Sequence, residues 1–448
     1  MRKKKEIVGK IETLEFPNKS ILICEGKSYV FKGGIPGQKV KIVAKGKKRS
    51  FYEAKLVEVL EKADTEDYPT CKVFGTCGGC AYQSIDYDEE IKIKKEGIKR
   101  LFKDVYTGEF KVNPALSIKG YRNKMEYTFG DMEKGGPLML GLHSKGRFYE
   151  ITPTLECNIV PEGFETIRQE VQEYFRKTSH KFYRSRLYIG LLRHLVIKYS
   201  FSKDEYMVNI VTTSQEDWDR DKFVEHLKNI TMPGKIKTII HTINDSLSDA
   251  VKAEKVQTLY GPGYLEEELL GLKFHMGPFS FFQPNPQMAK VLYSRALELA
   301  GDISNKTVFD LYSGTGTIGQ IFSKKAKKVY GIEIVEEAVE KAKDTCRLNK
   351  IENCEFIQGD VLEKIEELKD LAEIIVLDPP REGIHPKAIE KLLKIKPEKF
   401  VYISCNPVTQ ARDLRIMKDF GYKVEQMEIV DQFPRTYHVE TVVLMSRK

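Results

Sequence analysis

The chain has 448 residues, room for about three domains at ~150 residues each and enough to bury a large core without disulfides. Apolar residues make up 41% and charged residues 31%, which excludes a disordered or fibrous chain. No run of about 18 apolar residues occurs, and the start, Met1-Arg2-Lys3-Lys4-Lys5-Glu6, lacks an apolar run of signal-peptide type. No membrane partner and a cytoplasmic location are therefore expected.

Residues 1–60 hold 15 basic against 6 acidic side chains, so the whole positive excess of the chain (+8) lies there. A segregated basic module points to a polyanion, most often nucleic acid. The same stretch is dense in short β signals: Ile7-Val8, Ile21-Leu22-Ile23, Tyr29-Val30-Phe31, Val40-Lys41-Ile42-Val43 and Ala54-Lys55-Leu56-Val57, parted by Gly, Pro, Asn and Lys. Five short strands with Gly-rich turns predict a small barrel of the oligonucleotide-binding type. Residues 61–70 read as a linker, 86–103 as a helix, and the stretch to about 265 as mostly strands with helices near 161–177 and 216–229. From about 267 the pattern alternates: strands over 306–312, 328–333, 373–377 and 399–403, helices over 317–325, 335–349, 386–394 and 408–419, then two late strands near 423–425 and 439–444. That alternation predicts a doubly wound parallel sheet. The expected fold is a multidomain α/β chain: an oligonucleotide-binding barrel over 1–60, a central α+β domain over 61–265 and a Rossmann-like domain over 266–448.

The segment from Val308 to Gly319 contains Gly314-Thr315-Gly316-Thr317-Ile318-Gly319 between a strand and a helix, where glycines let the backbone approach a ligand closely. Glu333 follows at the next strand end, placed to accept from ribose hydroxyls. Alone, this pattern fits a nicotinamide dinucleotide as well as S-adenosylmethionine. Asp310 at the strand end, the domain's place after a basic module, and the later strand ends favour S-adenosylmethionine.

Those later strand ends carry the chemistry. Ile374 to Leu377 runs into Asp378-Pro379-Pro380-Arg381, where the prolines stiffen the exit and fix the carboxylate's direction. Phe400 to Ser404 runs into Cys405-Asn406-Pro407. A lone cysteine is ordinarily a packing residue, but Cys405 stands at the carboxyl end of a strand beside polar neighbours, where such sheets bind ligands, and the following helix is placed to lower its pKa. A thiolate is needed when carbon 5 of uracil must accept a methyl group: attack at carbon 6 makes carbon 5 nucleophilic, and a base then removes the carbon 5 proton. Glu440, in Tyr437-His438-Val439-Glu440, is the candidate base.

Of the eight cysteines, Cys71, Cys77 and Cys80 lie within ten residues, and Cys157 is the candidate fourth thiolate. The spacing suits zinc and an iron–sulfur cluster equally. Cys24, Cys346 and Cys354 read as packing residues. Two runs that interleave rings and cations, Tyr121-Arg122-Asn123-Lys124 and Tyr183-Arg184-Ser185-Arg186-Leu187-Tyr188, suit single-stranded RNA.

Phe281-Phe282-Gln283-Pro284-Asn285, Asp310 to Gly316, Asp378 to Arg381, Ser404 to Pro407, and Phe433-Pro434 through Glu440 together resemble the RNA uracil-5-methyltransferase family over residues 267–448. The first 60 residues resemble the TRAM domain often fused to it. The resemblance implies that Gln283, Tyr312, Glu333, Asp360 and Asp378 attend S-adenosylmethionine, with Cys405 as nucleophile and Glu440 as base. It also implies a [4Fe-4S] cluster on Cys71, Cys77, Cys80 and Cys157. Ribosomal RNA of the large subunit is the expected substrate, with the T-loop uridine of tRNA as the alternative. A monomer is expected. A non-catalytic RNA-binding or assembly protein is the competing class.

Overall fold

The computed structural model describes residues 5–368 and 372–447, which form three large sheets and one two-stranded sheet. The first sheet holds β1 (Glu6–Lys10), β2 (Thr13–Glu15), β3 (Lys19–Cys24), β4 (Lys27–Lys32), β5 (Lys39–Lys47) and β6 (Tyr52–Glu61). Their order is β1-β5-β6-β4-β3-β2. β1 and β2 are neighbours in the chain yet occupy opposite ends of that order, so the sheet curls back on itself. Alternation puts Ile7, Leu22, Tyr29, Phe31, Val40 and Ile42 into one small core and leaves the lysines outside.

Next come α1 (Tyr87–Phe102), β7 (Phe110–Asn113), β8 (Lys124–Gly130), β9 (Met139–Ser144), β10 (Arg147–Thr152), α2 (Gly163–Arg176), β11 (Leu192–Ser200), β12 (Glu205–Thr212), α3 (Arg220–Lys228), β13 (Lys235–Ile243) and β14 (Lys255–Tyr260). The second sheet runs β10-β9-β8-β11-β12-β13-β14. Phe164, Val171 and Phe175 of α2 and Phe223 of α3 seal one face of it.

The hairpin β15 (Leu265–Leu269) and β16 (Leu272–Met276) leads into α4 (Pro286–Ala300), β17 (Thr307–Leu311), α5 (Thr317–Ser323), β18 (Lys328–Glu333), α6 (Glu336–Asn349), β19 (Cys354–Gln358), α7 (Val361–Glu367), β20 (Ile374–Leu377), α8 (Pro386–Ile395), β21 (Lys399–Ser404), α9 (Pro407–Asp419), β22 (Tyr422–Val430) and β23 (Glu440–Arg447). The third sheet runs β19-β18-β17-β20-β21-β23-β22-β7. β17 to β21 are parallel, and β23 inserts antiparallel between β21 and β22. One face packs on α1, α7, α8 and α9, the other on α4, α5 and α6. Cover on both faces explains why β20 reads as the unbroken apolar run Ile374-Ile375-Val376-Leu377.

Segment 87–113 does not stay with the second sheet. α1 lies on the third sheet, where Ile98 and Phe102 join the core, and β7 pairs in parallel with β22 at its edge. A buried ion cluster fixes this crossing. The Lys94 ammonium is 2.6 Å from Glu90 and 2.8 Å from Asp431, and all three side chains are at most 2% exposed. The Tyr87 hydroxyl donates to the second Asp431 oxygen. The Arg435 N–H donates to Glu90, and its guanidinium donates to the carbonyls of Tyr82 and Ile85. Ala81 and Tyr82 return N–H bonds to the Arg435 carbonyl. The chain just after the cysteine segment is thus tied to the chain that leads into Glu440.

Lys94→Met leaves the buried Asp431 and Glu90 carboxylates with only the Arg435 guanidinium, 3.6 Å from Glu90, as a nearby cation among the described residues. Urea melts should show a loss of about 3–5 kcal/mol, whereas Lys92→Met, on the exposed side of α1, should change stability by less than about 1 kcal/mol.

Candidate active site

The register of the third sheet collects the expected residues at one edge. Leu311 pairs with Leu377, and Leu377 with Tyr402, so Tyr312 and Asp378 emerge side by side. Ser404 pairs with Thr441, which sets Cys405 beside Glu440. Sheet order reverses between β17 and β20, the place where open α/β sheets bind ligands.

The glycine loop forms as its residues dictate. Gly316 has φ +77°, and a Cβ there would stand 2.4 Å from the Phe356 ring, so no other residue fits. Gly314 has φ +53° and open space where a side chain would be. Tyr312 holds φ +64° at the strand exit, a left-handed conformation that structures tolerate chiefly at functional sites. Glu333 accepts the Gly314 N–H on one oxygen and the Val335 N–H on the other, each at 3.0 Å. Pinned so, it keeps lone pairs for further donors. Asp310 accepts the Gly319 N–H at 2.7 Å through one oxygen, while its other oxygen and the Ser313 hydroxyl are buried without a hydrogen-bond partner. Buried polar atoms of that kind mark a place for a ligand. Asp360 opens α7; burial raises the Tyr312 pKa to about 12, helped by the charge of Asp360.

Acids crowd the site. Burial pushes Asp378 up to about 7 and Asp310 up to about 8, the latter helped by Asp378 and Glu333. Burial and Asp378 raise Glu440 well above the ordinary carboxylate range. Cys405 is half-buried; burial, Glu440 and Asp378 push its thiol up to about 11. The lowered thiol pKa expected from the following helix is therefore corrected: α9 does start beside Cys405, with Asn406 as its cap and Pro407 in its first turn, but burial and two carboxylates outweigh it. The opposing cation is Arg381, which hydrogen-bonds the thiol and lowers the pKa of both Cys405 and Glu440. The Arg381 carbonyl is held by the Asn406 amide and the Thr409 hydroxyl. Sequence reasoning quoted Arg381 only as the end of the Asp-Pro-Pro run. The signal was there, since a stiff exit that aims a carboxylate aims the next side chains too.

Gln283 stands in the loop before α4. Its amide oxygen accepts from Gln432 at 2.6 Å, and its side chain bonds the buried Tyr293 hydroxyl. Asn123 donates to its carbonyl and Asn285 donates to that of Gln432. Gln432 and Tyr293 were not legible beside the site: Gln432 reaches it through Gln283, and Tyr293 is buried in α4, where burial and then the charges of Asp378, Glu440 and Asp310 raise its pKa. Phe281, two residues earlier, is 71% exposed beside this framework.

Tyr121-Arg122-Asn123-Lys124 is not an RNA stacking surface. Tyr121 is buried and donates to the Pro434 carbonyl, and Asn123 is buried against Gln283. Period-two alternation into β8 turns these rings and amides inward. Arg122 and Lys124 instead line a cavity of about 350 Å³ shared with Cys71, Cys77, Cys80 and Cys157. All eight cysteines are free thiols. Among the described residues, no group of three or more His, Cys, Asp or Glu side chains closes tightly enough to hold a single ion. The Gly79 N–H and the Gln83 amide donate to the sulfurs of Cys77 and Cys80. Cys346 and Cys354, expected as separate packing residues, hydrogen-bond each other within the core. Among the described residues no helix is long and apolar enough to cross a membrane.

Such a sheet, with its glycine loop and a crowd of acids at the switch point, defines a methyltransferase-type α/β domain. The profile of the family described as tRNA (Uracil-5-)-methyltransferase matches residues 252–448. An uncharacterized RNA methyltransferase of Clostridium acetobutylicum is 46% identical over 100% of this chain and 99% of its own length. One of Caldanaerobacter subterraneus is 44% identical over the full length of both. Among solved structures, the Pyrococcus abyssi tRNA (uracil-54, C5)-methyltransferase, in complex with S-adenosyl-L-homocysteine, shares the fold at a TM-score of 0.76, with 23% identity, covering 98% of this chain and 100% of that one. The chain belongs to the RNA uracil-5-methyltransferase family. It is an S-adenosylmethionine-dependent RNA methyltransferase.

The acid-lined loop fits a sulfonium cation. If Asp310 and Asp378 must ionise to hold it, affinity should rise between pH 6 and 9, by about tenfold through Asp378 and about a hundredfold through Asp310. Calorimetry should show proton release on binding S-adenosylmethionine and a flatter profile for uncharged S-adenosylhomocysteine. Without cofactor, a carboxyl raised above its unfolded value costs stability as pH climbs from about 4 to about 8. Asp310→Asn should therefore weaken S-adenosylmethionine binding yet raise the Tm of the ligand-free protein at pH 8 by about 2–4 °C.

Proposed function

We propose that this enzyme methylates carbon 5 of one uridine in large-subunit ribosomal RNA through a transient bond between Cys405 and carbon 6 of the ring. The observation that carries the reading is the convergence of Cys405, Glu440, Asp378 and Arg381 at one sheet edge beside the glycine loop. S-Adenosylmethionine, when bound, supplies an electrophilic methyl group. Asp310, Ser313 and Glu333 hold its polar parts, with Tyr312, Asp360, Gln283 and Asp378 around it. The Cys405 sulfur adds to carbon 6, and the electrons of the ring double bond make carbon 5 nucleophilic. Arg381 favours the thiolate that this attack needs. After carbon 5 has taken the methyl group, Glu440 removes its proton, the double bond re-forms and the sulfur leaves. The target base must leave its stack to reach the thiol.

The ribosomal assignment rests on the basic barrel and the cysteine cavity, features that the resemblance associates with ribosomal substrates. A second reading, the T-loop uridine of tRNA, is favoured by the description of the matching family and by the Pyrococcus enzyme. With either substrate, we propose that residues 1–60 form a TRAM domain of the oligonucleotide-binding type, 61–265 a central domain and 266–448 the catalytic domain, in a cytoplasmic monomer. The cysteine cavity fits a bulky centre. Four sulfurs surround one space rather than one point, and N–H donors reach two of them, the outer contacts that stabilise cluster thiolates. Cys71, Cys77, Cys80 and Cys157 would hold a [4Fe-4S] cluster that positions RNA.

Glu440→Gln should trap the methylated ring on Cys405, giving a protein–RNA adduct that survives denaturing electrophoresis. Cys405→Ser should form no adduct and lose more than about 10³-fold in kcat. Absence of any adduct and of any methylated uridine would favour a binding protein without catalysis. Mass-spectrometric mapping of ribosomal RNA and tRNA from cells lacking the protein separates the two substrates. Anaerobically purified protein should be brown, with about four irons and four sulfides per chain, and stoichiometric zinc without sulfide would refute the cluster.

A further inference from the structure

A second cavity, of about 750 Å³, opens on the second sheet, away from Cys405. That volume lies within the range of small-ligand sites, about 300–1,000 Å³. One wall comes from β8 to β10, the other from the loop 182–189 before β11. The loop is a built element: the Arg184 N–H bonds the Ile189 carbonyl, the Tyr183 N–H bonds the Leu192 carbonyl, and Tyr188 holds φ +57° at its tip.

The walls stack cations on rings. The Arg186 guanidinium lies 4.1 Å from the Tyr149 ring centre, and Arg193 lies 4.3 Å from Tyr183. Arg184 sits 5.4 Å from Phe182. Among the described residues neither Arg184 nor Arg186 makes an ion pair, so both charges remain to meet phosphates. Tyr149 is 59% exposed, with Leu187 also open to solvent on the opposite lip. The floor is polar. The Thr128 hydroxyl lies 3.2 Å from His194, and the Asp249 carboxylate lies 3.4 Å from His143. Against the burial that would raise it, the hydrogen bond from His143 and the nearby basic side chains hold Asp249 below the usual carboxylate range. The floor thus offers a charged acceptor at the end of an aromatic slot. Flat rings, guanidinium groups that stack on rings but make no ion pair among the described residues, and a polar floor together match a nucleotide: ring to ring, phosphate to cation, base edge to floor.

We propose that this cavity is a second nucleobase site, which stacks an unpaired base of the substrate RNA other than the uridine that reaches Cys405. The proposal rests on the reading of the chain as an RNA-modifying enzyme, and it makes the central part of the chain a reader of RNA sequence context. Thr76, in the cysteine segment, completes the rim, held there by the Lys145 N–H.

The test has two arms. Binding of a fluorescein-labelled twelve-residue oligoadenylate RNA is followed by fluorescence anisotropy. Tyr149→Ala and Arg186→Ala should each weaken it by about 5–100-fold, the worth of one base stack, while Tyr68→Ala, on a ring that does not line the cavity, should not. In steady-state methylation of the RNA that the native enzyme modifies, both cavity variants should raise KM and leave kcat at saturating RNA unchanged. Oligonucleotide binding within twofold of native in both variants, or a fall in kcat with KM intact, overturns the site. If the native enzyme methylates no RNA, the proposed function fails while the anisotropy arm still decides the cavity.

Discussion

The geometry of the molecule hangs on one buried ammonium. Lys94 lies between Glu90 and Asp431 in a place that water does not reach, and Arg435 closes the group from the other side. A desolvated cation tolerates few arrangements: it must keep its carboxylates at hydrogen-bond distance or carry a large penalty. The three elements that supply these groups are therefore locked together. They are α1, the chain next to the cysteines, and the turn between β22 and β23. The turn runs directly into Glu440, so the position of the candidate base is set by charges that never touch a substrate. Arg435 itself holds φ +68°, an orientation that lets its carbonyl serve two N–H groups of the cysteine segment.

The site follows the opposite rule. Asp310 and Glu440 are buried, Asp378 and the Cys405 thiol are half-buried beside them, and the opposing cation is the Arg381 guanidinium. The lock is neutralised within the fold, while the site is left short of positive charge and long on acceptors. Stability resides in the first and reactivity in the second. A protein that satisfied Asp310 internally would be more stable and would have less to offer a charged partner.

Much of the third sheet was legible because its signals are local. Alternating apolar runs and amphipathic helices lie close in sequence, and Asn406-Pro407 announces the start of α9. Residues that follow parallel strands inherit their meeting place from the sheet, so Asp378 and Cys405 could be grouped from the pattern, whereas Glu440, at the start of antiparallel β23, was joined to them by the need for a base and by the resemblance. What was hidden is non-local. β7 is four residues long and finds its partner β22 some 300 residues on, and no periodicity in Phe110-Lys111-Val112-Asn113 records that. β19, with charged Glu355 as its second residue, and α4 were not anticipated either. Tyr121 and Asn123 misled because a ring beside a cation looks alike on a surface and in a seam between two sheets. The charge of the barrel was legible as arithmetic, whereas the two cavities exist only in three dimensions.

The crossing of segment 87–113 onto the third sheet also shapes how the molecule is made. As the chain leaves the ribosome, α1 presents Ile98 and Phe102 and the buried ammonium more than 300 residues before Asp431 and Arg435 are synthesised. Throughout that interval the helix has an oily face without a core and a cation with only Glu90 beside it. Long-range closure of this kind slows folding and leaves adhesive intermediates. A chain cut short before Asp431 would therefore lack Asp431 as a partner of this cation and the strand that carries Glu440, and would be no partly working catalyst.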